Sequence, residues 1–166
     1  VEYAQVESSF EIHIEDHCLH STLAAGARIV VGGHVRGGTT SAATLVKAAT
    51  FGSPLGVRTT VRVGFDAQHR ARLIAVEKEK DEPGRLSGEA TQVKAAAGAR
   101  VVVERHIYNG TEVHIGNRCW TSHDDHANGV FRLREGEIVF GAAHGLTGEL
   151  QRSRVRSALI FPRFFR

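Results

Sequence analysis

The sequence is short of the residues that mark several classes of protein. It has no methionine, three prolines, one tryptophan and only two cysteines, Cys18 and Cys119. A disulfide-stapled secreted scaffold needs a denser cysteine pattern, so the sequence favours a reducing cytoplasm. No apolar run approaches the roughly 20 residues that a membrane-spanning helix requires. Because methionine is absent, we expect Val1 not to be the natural start and the chain to be a piece of a longer one.

An excess of either charge is also missing. Lysine and arginine number 21 against 18 acidic residues, and a net charge of +3 is too small to indicate a nucleic-acid partner. The hydrophobic fraction of 42% is that of a globular protein, and 166 residues are enough for one domain with a core.

Glycine is abundant, at 18 residues, and this favours many tight turns between short strands. Phe10, Ile12 and Ile14 alternate with polar residues, residues 25–35 form a second run that a Gly-Gly pair closes, and residues 40–46 are a further candidate strand. Two all-β architectures fit this pattern, a sandwich and a parallel solenoid.

A turn is predicted where two glycines bracket a Ser-Pro pair, and a third glycine ends the strand that follows. Between residues 57 and 63, apolar and polar residues alternate with the period of a half-buried strand. The predicted structural turn residues are Gly52, Ser53, Pro54, Gly56 and Gly64.

An internal echo favours the solenoid over the sandwich. Residues 24–35 recur in related form as residues 96–107, and each copy leads to a Gly-Thr pair, at Gly38 and Gly110. In a solenoid each coil adds the same kind of strand to the same sheet, so a recurring strand and turn is expected.

Residues 66–97 have a different pattern from the rest. Two helical stripes flank Pro83-Gly84, which predicts a short antiparallel α-helical hairpin inserted into a mainly β body. The β-helix coils are therefore expected at 1–65 and 98–141. Residues 142–166 form a basic, aromatic C-terminal tail, which we expect to pack on the domain or fray, with contact to a membrane surface or a partner as the alternative.

Ten histidines raise the question of a metal site. Histidine and cysteine are the usual zinc ligands, although signature spacings such as Cys-x-x-Cys are absent and surface histidines are the alternative. Two clusters supply the candidate zinc ligands: His13, His17, Cys18, His20, Cys119, His123 and His126.

No catalytic residue is assigned, and we expect a protein that is not an enzyme. Ser122, His123 and Asp124 are adjacent in sequence, and adjacent side chains on a strand face away from one another. Asp125 and Asp124 are adjacent too, so they do not form the paired carboxylates of polysaccharide cleavage. Four outward arginines could form a basic face: Arg28, Arg58, Arg62 and Arg100.

Four segments in order resemble the bacterial flagellar assembly protein A (FapA) family. They are Leu19 to Gly33, Gly52 to Gly64, Gly110 to Asn117 and Arg134 to Gly141. The resemblance implies the C-terminal β-helix region of that family, a right-handed parallel β-helix with an inserted helical arm. The insert here is shorter than the arm of many members, the coils expected before Val1 are missing, and the tail does not match.

The family resemblance also implies a function. It points to a non-catalytic, cytoplasmic bacterial scaffold or regulator linked to flagellar assembly, which presents a β-helix face or the arm to protein partners. Missing N-terminal coils imply an exposed strand edge, so self-association is expected. The alternatives are a metal-binding protein or enzyme that uses the His and Cys clusters, and a carbohydrate-active β-helix.

Overall fold

The computed structural model describes residues 1–64, 96 and 98–141 of the chain. These residues form one winding sheet. Its strands in chain order are β1 (Gln5–Ser8), β2 (Glu11–Ile14), β3 (Cys18–Ala25), β4 (Arg28–Ala42), β5 (Leu45–Phe51), β6 (Thr59–Val63), β7 (Arg100–Ile107), β8 (Thr111–Ile115), β9 (Arg118–Thr121), β10 (His126–Arg134) and β11 (Glu137–Gly141).

The chain winds as stacked coils, because each strand pairs in parallel with its equivalent in the next coil. Ile12, Ile29 and Val46, which stand 17 residues apart, are neighbours across β2, β4 and β5, and Val101 of β7 follows them. The 15-residue β4 turns a corner, since its first half pairs with β5 and its second half with β6. This parallel stacking confirms a mainly β solenoid and excludes the sandwich.

The interior is built from ladders of side chains that repeat once per coil. Cys18, Val35, Phe51 and Ile107 are neighbours in successive coils, and each is at most 1% exposed. Burial of a side chain such as Phe51 stabilises the fold by about 1.5–3 kcal/mol. The alternation of buried and outward residues places the β-branched residues of each strand in this core.

Buried hydroxyl groups tie successive coils together at one corner. The Ser21 Oγ accepts a hydrogen bond from the Ala4 main-chain N–H at 3.1 Å. The Thr59 Oγ1 accepts one from the Gly37 N–H at 2.8 Å. Each hydroxyl also donates to the carbonyl oxygen two residues earlier in its own coil. These polar groups are therefore satisfied although they lie in the interior.

The two ends of the stack differ. At the C-terminal end β8 pairs with β9, β10 with β7 and β11 with β10, all antiparallel. Trp120, Phe131 and Phe140 cover the last coil, with ring centroids 4.7 Å apart for the first two and 4.5 Å for the last two. At the other end, within the part that the structure describes, β1 pairs only with β3 and β2 only with β4. Among the described strands, the stack therefore has an antiparallel cap on one side, and β1 and β2 have one pairing partner each on the other.

The internal echo is confirmed as structural equivalence. Arg28 of β4 and Arg100 of β7 both pair with Leu45 of β5, one on each side, so the two copies lie two coils apart. The Gly-Thr pairs are one residue out of register. Gly38 pairs with Thr59 of β6, and Thr59 pairs with Thr111 of β8 rather than with Gly110.

The candidate strand at 40–46 is wrong as a single strand. β4 ends at Ala42 and β5 begins at Leu45, because Thr44 bends the chain between them. The Thr44 main-chain N–H and its Oγ1 both donate to the Ala27 carbonyl oxygen, at 2.9 Å each. Thr44 fits the alternation of a strand, but its hydrogen bonds to Ala27 place it at a corner.

The predicted helical hairpin at 66–97 and the tail at 142–166 lie outside the described residues, apart from the buried Ala96 and the exposed Gly98 that follows. Ala96 packs beside Gly64 and Gly116, where an added Cβ would meet its atoms at 2.9 Å. Across the residues that are described, we find no helix with the length and apolarity to traverse a bilayer.

Candidate functional site

The outer face of β6, β8 and β9 gathers a cluster of titratable side chains, which we call the His114 cluster: Arg58, Arg62, Glu112, His114 and Cys119. Glu112 and His114 are alternate residues of β8, so both face outward while Val113 faces the core. The two-residue turn at Gly116-Asn117 folds β9 back and pairs Cys119 with His114.

The distances in the His114 cluster are those of a connected polar network. The His114 Nε2 lies 3.6 Å from the Cys119 Sγ and 3.7 Å from a Glu112 carboxylate oxygen. The other Glu112 oxygen is 3.0 Å from the Arg58 guanidinium. Arg62 of β6 is the cross-strand neighbour of His114. Glu112 thus bridges a cation and an imidazole.

The electrostatics of the cluster favour the neutral forms of His114 and Cys119. Burial, followed by the charge of Arg62, lowers the pKa of His114. Burial, with a further contribution from Glu112, raises the pKa of the Cys119 thiol. Both shifts favour the uncharged form of the side chain, a neutral imidazole and a protonated thiol, whereas the thiolate is the reactive form of cysteine.

The first predicted group of zinc ligands is split between the core and the surface. Cys18 is fully buried in an interior ladder, whereas His13 is exposed on β2. His17 contacts Asp16 at 2.7 Å and Glu2 at 3.3 Å through its two ring nitrogens. His20 stacks on Tyr3, with ring centroids 5.3 Å apart.

The second predicted group is likewise dispersed. Cys119 lies beside His114 and not beside His123, which is exposed in the turn before β10. His126 packs on the rings of Trp120 and Phe140, at centroid distances of 5.6 and 5.7 Å. Within residues 1–64, 96 and 98–141, no three or more His, Cys, Asp or Glu side chains form a group that could hold a metal ion. The zinc site stays a prediction without geometric support.

The serine considered for a catalytic triad is used structurally. Ser122 is fully buried, and its Oγ donates to the Asp124 carbonyl oxygen at 2.5 Å. His123 and Asp124 are exposed on the turn above it. The Ser122 hydroxyl is therefore committed to shaping this turn.

The predicted turn residues lie at a protruding loop and at the end of β6. The Gly56 N–H donates to the Ser53 carbonyl oxygen at 2.9 Å, and the Ser53 Oγ accepts from the Leu55 N–H at 3.1 Å, so Pro54 stands inside a β-turn. Gly52, Gly56 and Gly64 all have positive φ angles, between 67° and 81°. Leu55, at the tip, is 90% exposed.

The four arginines expected on one basic face lie on two different faces. Arg28 and Arg100 belong to the β4–β5–β7 ladder, whereas Arg62 of β6 and Arg58 just before β6 lie beside β8. Arg28 is paired with Glu11 at 2.8 Å and Arg58 with Glu112 at 3.0 Å. The expectation of a single basic face is wrong, because the chain turns a corner between the two pairs.

The sequence alone does not predict that Cys119 lies beside Glu112, His114 and Arg62. Glu112, His114 and Arg62 carried no recognisable spacing relative to Cys119. The signal lay in the turn at Gly116-Asn117, since a two-residue hairpin loop fixes the pairing of the strands on either side. Recognition of that hairpin would have placed Cys119 opposite His114.

Stacked parallel coils, one antiparallel cap and outward polar ladders define a β-solenoid protein. Residues 1–86, more than half of the chain, match the family model described as the Flagellar Assembly Protein A beta solenoid domain. The chain therefore belongs to the FapA family. The match covers the first half of the chain, so the expected restriction to the C-terminal β-helix region of that family is not accurate. No curated protein and no solved structure matches the chain.

Proposed function

We propose that this chain is a non-catalytic β-solenoid scaffold related to bacterial flagellar assembly, and that it binds a second copy of itself through the edge of β1 and β2. The scaffold would act in the cytoplasm, with right-handed coils and a helical arm as the family resemblance implies. Membership of the FapA family supports the link to flagellar assembly. The observation that carries the proposal is the unpaired edge formed by β1 and β2.

The open edge presents main-chain groups with nothing opposite them in the described part. The carbonyl oxygens of Ala4 and Ser8 accept from the N–H of Thr22 in β3 and the N–H of Gly26 just after it, at 2.8 and 2.9 Å. Alternate residues of a parallel strand direct their N–H and C=O groups to the same neighbour. Gln5 and Glu7 therefore direct theirs away from β3, as an incoming strand requires.

Exposed aromatic side chains flank this edge. Tyr3 precedes β1 and is 79% exposed, and Phe10 lies between β1 and β2 and is 68% exposed. Large aromatic side chains are the common anchors of protein interfaces. Two identical edges can pair antiparallel about a two-fold axis, which is the commonest symmetry of homo-oligomers. These features support a second copy of the chain as the partner.

Self-association is tested by removing one outward N–H. Glu7→Pro removes the N–H that faces the open side but keeps the ladder to β3, since Val6 and Ser8 carry the internal bonds. We expect the parent chain to dimerise with rising concentration in light scattering coupled to size exclusion, and Glu7→Pro to weaken the dimer at least tenfold.

Glu7→Gln is the matched control, because it removes the same charge but leaves the N–H in place. It is expected to dimerise like the parent. A parent chain that stays monomeric up to the highest soluble concentration would refute self-association through this edge, and so would equal weakening by Glu7→Pro and Glu7→Gln.

The two alternative functions gain no specific observation. The described residues contain no three-ligand metal group, and the cleft described below is lined by arginines rather than by paired carboxylates. Metal analysis of untagged protein tests the zinc prediction directly. One bound zinc per chain would support it.

A further inference from the structure

A cleft lined by arginines lies at the capped end, on the outer face of β7 and β10. Its lining includes Arg100, Arg132, Arg134 and the main chain at Gly98, and its volume is about 270 Å³. Phe131 is fully buried, so Arg132, the next residue along the strand, faces outward. The three arginines are all exposed and stand on one face.

The arrangement places like charges directly opposite each other. Arg100 and Arg132 are cross-strand partners in the antiparallel β7–β10 pair. Like charges in this position repel and destabilise a sheet. Elsewhere the same outer face uses opposite charges, with Arg28 paired to Glu11 at 2.8 Å and Lys47 to Glu104 at 2.7 Å.

No described acidic residue neutralises the cleft. The ion pairs of the described residues involve Arg28, Lys47, Arg58 and three histidines, and none involves an arginine of the cleft. Glu137 is the cross-strand partner of Arg134, yet the two form no ion pair. Even with Glu137 counted, the described residues of the cleft have an excess of two positive charges.

We propose that this cleft is a binding site for a phosphoryl group. A guanidinium fork matches the oxygen geometry of phosphate, and several guanidinium groups at one point suit a dianion better than a single carboxylate. A bound dianion removes the repulsion between Arg100 and Arg132, which the residues that the structure describes leave uncompensated. This site is separate from the open edge, and the inference does not depend on the proposed self-association.

The site is tested with inorganic phosphate and phenyl phosphate in isothermal titration calorimetry, at constant ionic strength. We expect saturable binding of one anion per chain, and a dissociation constant at least tenfold larger for Arg132→Gln. Tighter binding of phenyl phosphate than of phosphate assigns the site to a phosphorylated organic molecule, and equal affinities assign it to free phosphate. Absence of saturable binding of both anions at millimolar concentration would overturn the proposal.

Arg36→Gln is the matched control, since Arg36 is exposed on β4, away from the cleft, and loses the same charge. It should bind phosphate like the parent, and an equal loss in both variants would show a general charge effect and refute the site.

Thermal unfolding gives a second readout. Without anion, Arg132→Gln should melt higher than the parent, because one of two repelling charges is gone. Phosphate should raise the melting temperature of the parent but not that of Arg132→Gln, and equal rises would also refute the site.

Discussion

The surroundings of His114 lower its pKa, which favours the neutral imidazole. Burial disfavours the imidazolium, Arg62 adds repulsion, and the opposing attraction of Glu112 is smaller than the burial effect. Because the pKa of His114 is lowered in the folded protein, the unfolded chain takes up its proton at a higher pH. The contribution of this residue to stability is therefore complete above its ordinary pKa of 6.5 and declines as the pH falls below that value.

We predict that His114→Gln flattens the acid side of the stability profile. The parent should lose free energy of unfolding as the pH falls from 7 towards 5, and the variant should lose less of it over the same range. Urea unfolding at several pH values measures the difference, and the imidazole NMR titration of His114 gives its pKa. A His114 titration above the ordinary value would contradict the prediction.

His123→Gln is a suitable control, since His123 is exposed in the turn before β10 and touches none of the cluster. Its pH profile should match that of the parent. A profile as flat as that of His114→Gln would mean that the effect is general to histidine removal, contrary to the burial argument.

Single residues also show how far sequence neighbours mislead. Cys18 stands between His17 and His20 in sequence, and this made it a candidate zinc ligand. The corner between β2 and β3 turns its side chain into the ladder with Val35, while the histidines stay outside. Which way a residue faces after a corner depends on the geometry of the corner, and alternation along one strand does not carry across it.

At the scale of strands and turns, the alternation of residue types predicted most of the body. The strand at Thr59–Val63 and the equivalence of residues 24–35 with 96–107 followed from local pattern alone. The antiparallel pairing of β10 with β7 did not, because it joins segments far apart in sequence and no local signal distinguishes it from parallel stacking.

Corners in this fold require close approach between coils, and Gly26 shows the constraint. A Cβ at Gly26 would overlap the carbonyl oxygen of Ser9 in the preceding coil. A main-chain atom cannot move aside as a flexible side-chain tip can. The glycine is therefore needed for space and not for a left-handed backbone.

We predict that Gly26→Ala destabilises the fold by about 1–3 kcal/mol, because the corner must shift to relieve the overlap. Gly98→Ala is the matched control, since a Cβ there meets no atom of the described residues within 4 Å. Its free energy of unfolding should change by at most roughly 0.5 kcal/mol. Chemical denaturation of both variants measures the contrast, and equal costs would show that the inter-coil contact is not the cause.

At the scale of the whole molecule, a solenoid is stabilised by contacts between neighbouring coils, so stability is not uniform along it. β4 and β5 have pairing partners on both sides, whereas β1 has one partner among the described strands. The first coil should therefore open more easily than the middle of the stack.

We predict a gradient of amide hydrogen exchange, slow in β4 and β5 and faster in β1. Within β1 the amides of Val6 and Ser8 should exchange more slowly than those of Gln5 and Glu7, which face the open side. NMR-detected exchange at low protein concentration measures this order. If self-association covers the edge, the amides of Gln5 and Glu7 gain protection as the concentration rises. Uniform exchange across β1, β4 and β5 would contradict the gradient.

The 17-residue spacing between equivalent positions has a consequence for how such a chain can lengthen or shorten. Residues 27–43 form one complete coil, from the corner after Gly26 to the corner before Thr44. Loss of that unit would bring Ile12 beside Val46 and leave every inward side chain in the core. A tandem copy of the unit would add one coil in the same register. Gain or loss of 16 or 18 residues would instead turn a whole strand inside out. Genetic duplication can therefore change the length of the rod in fixed steps without redesign of its cap.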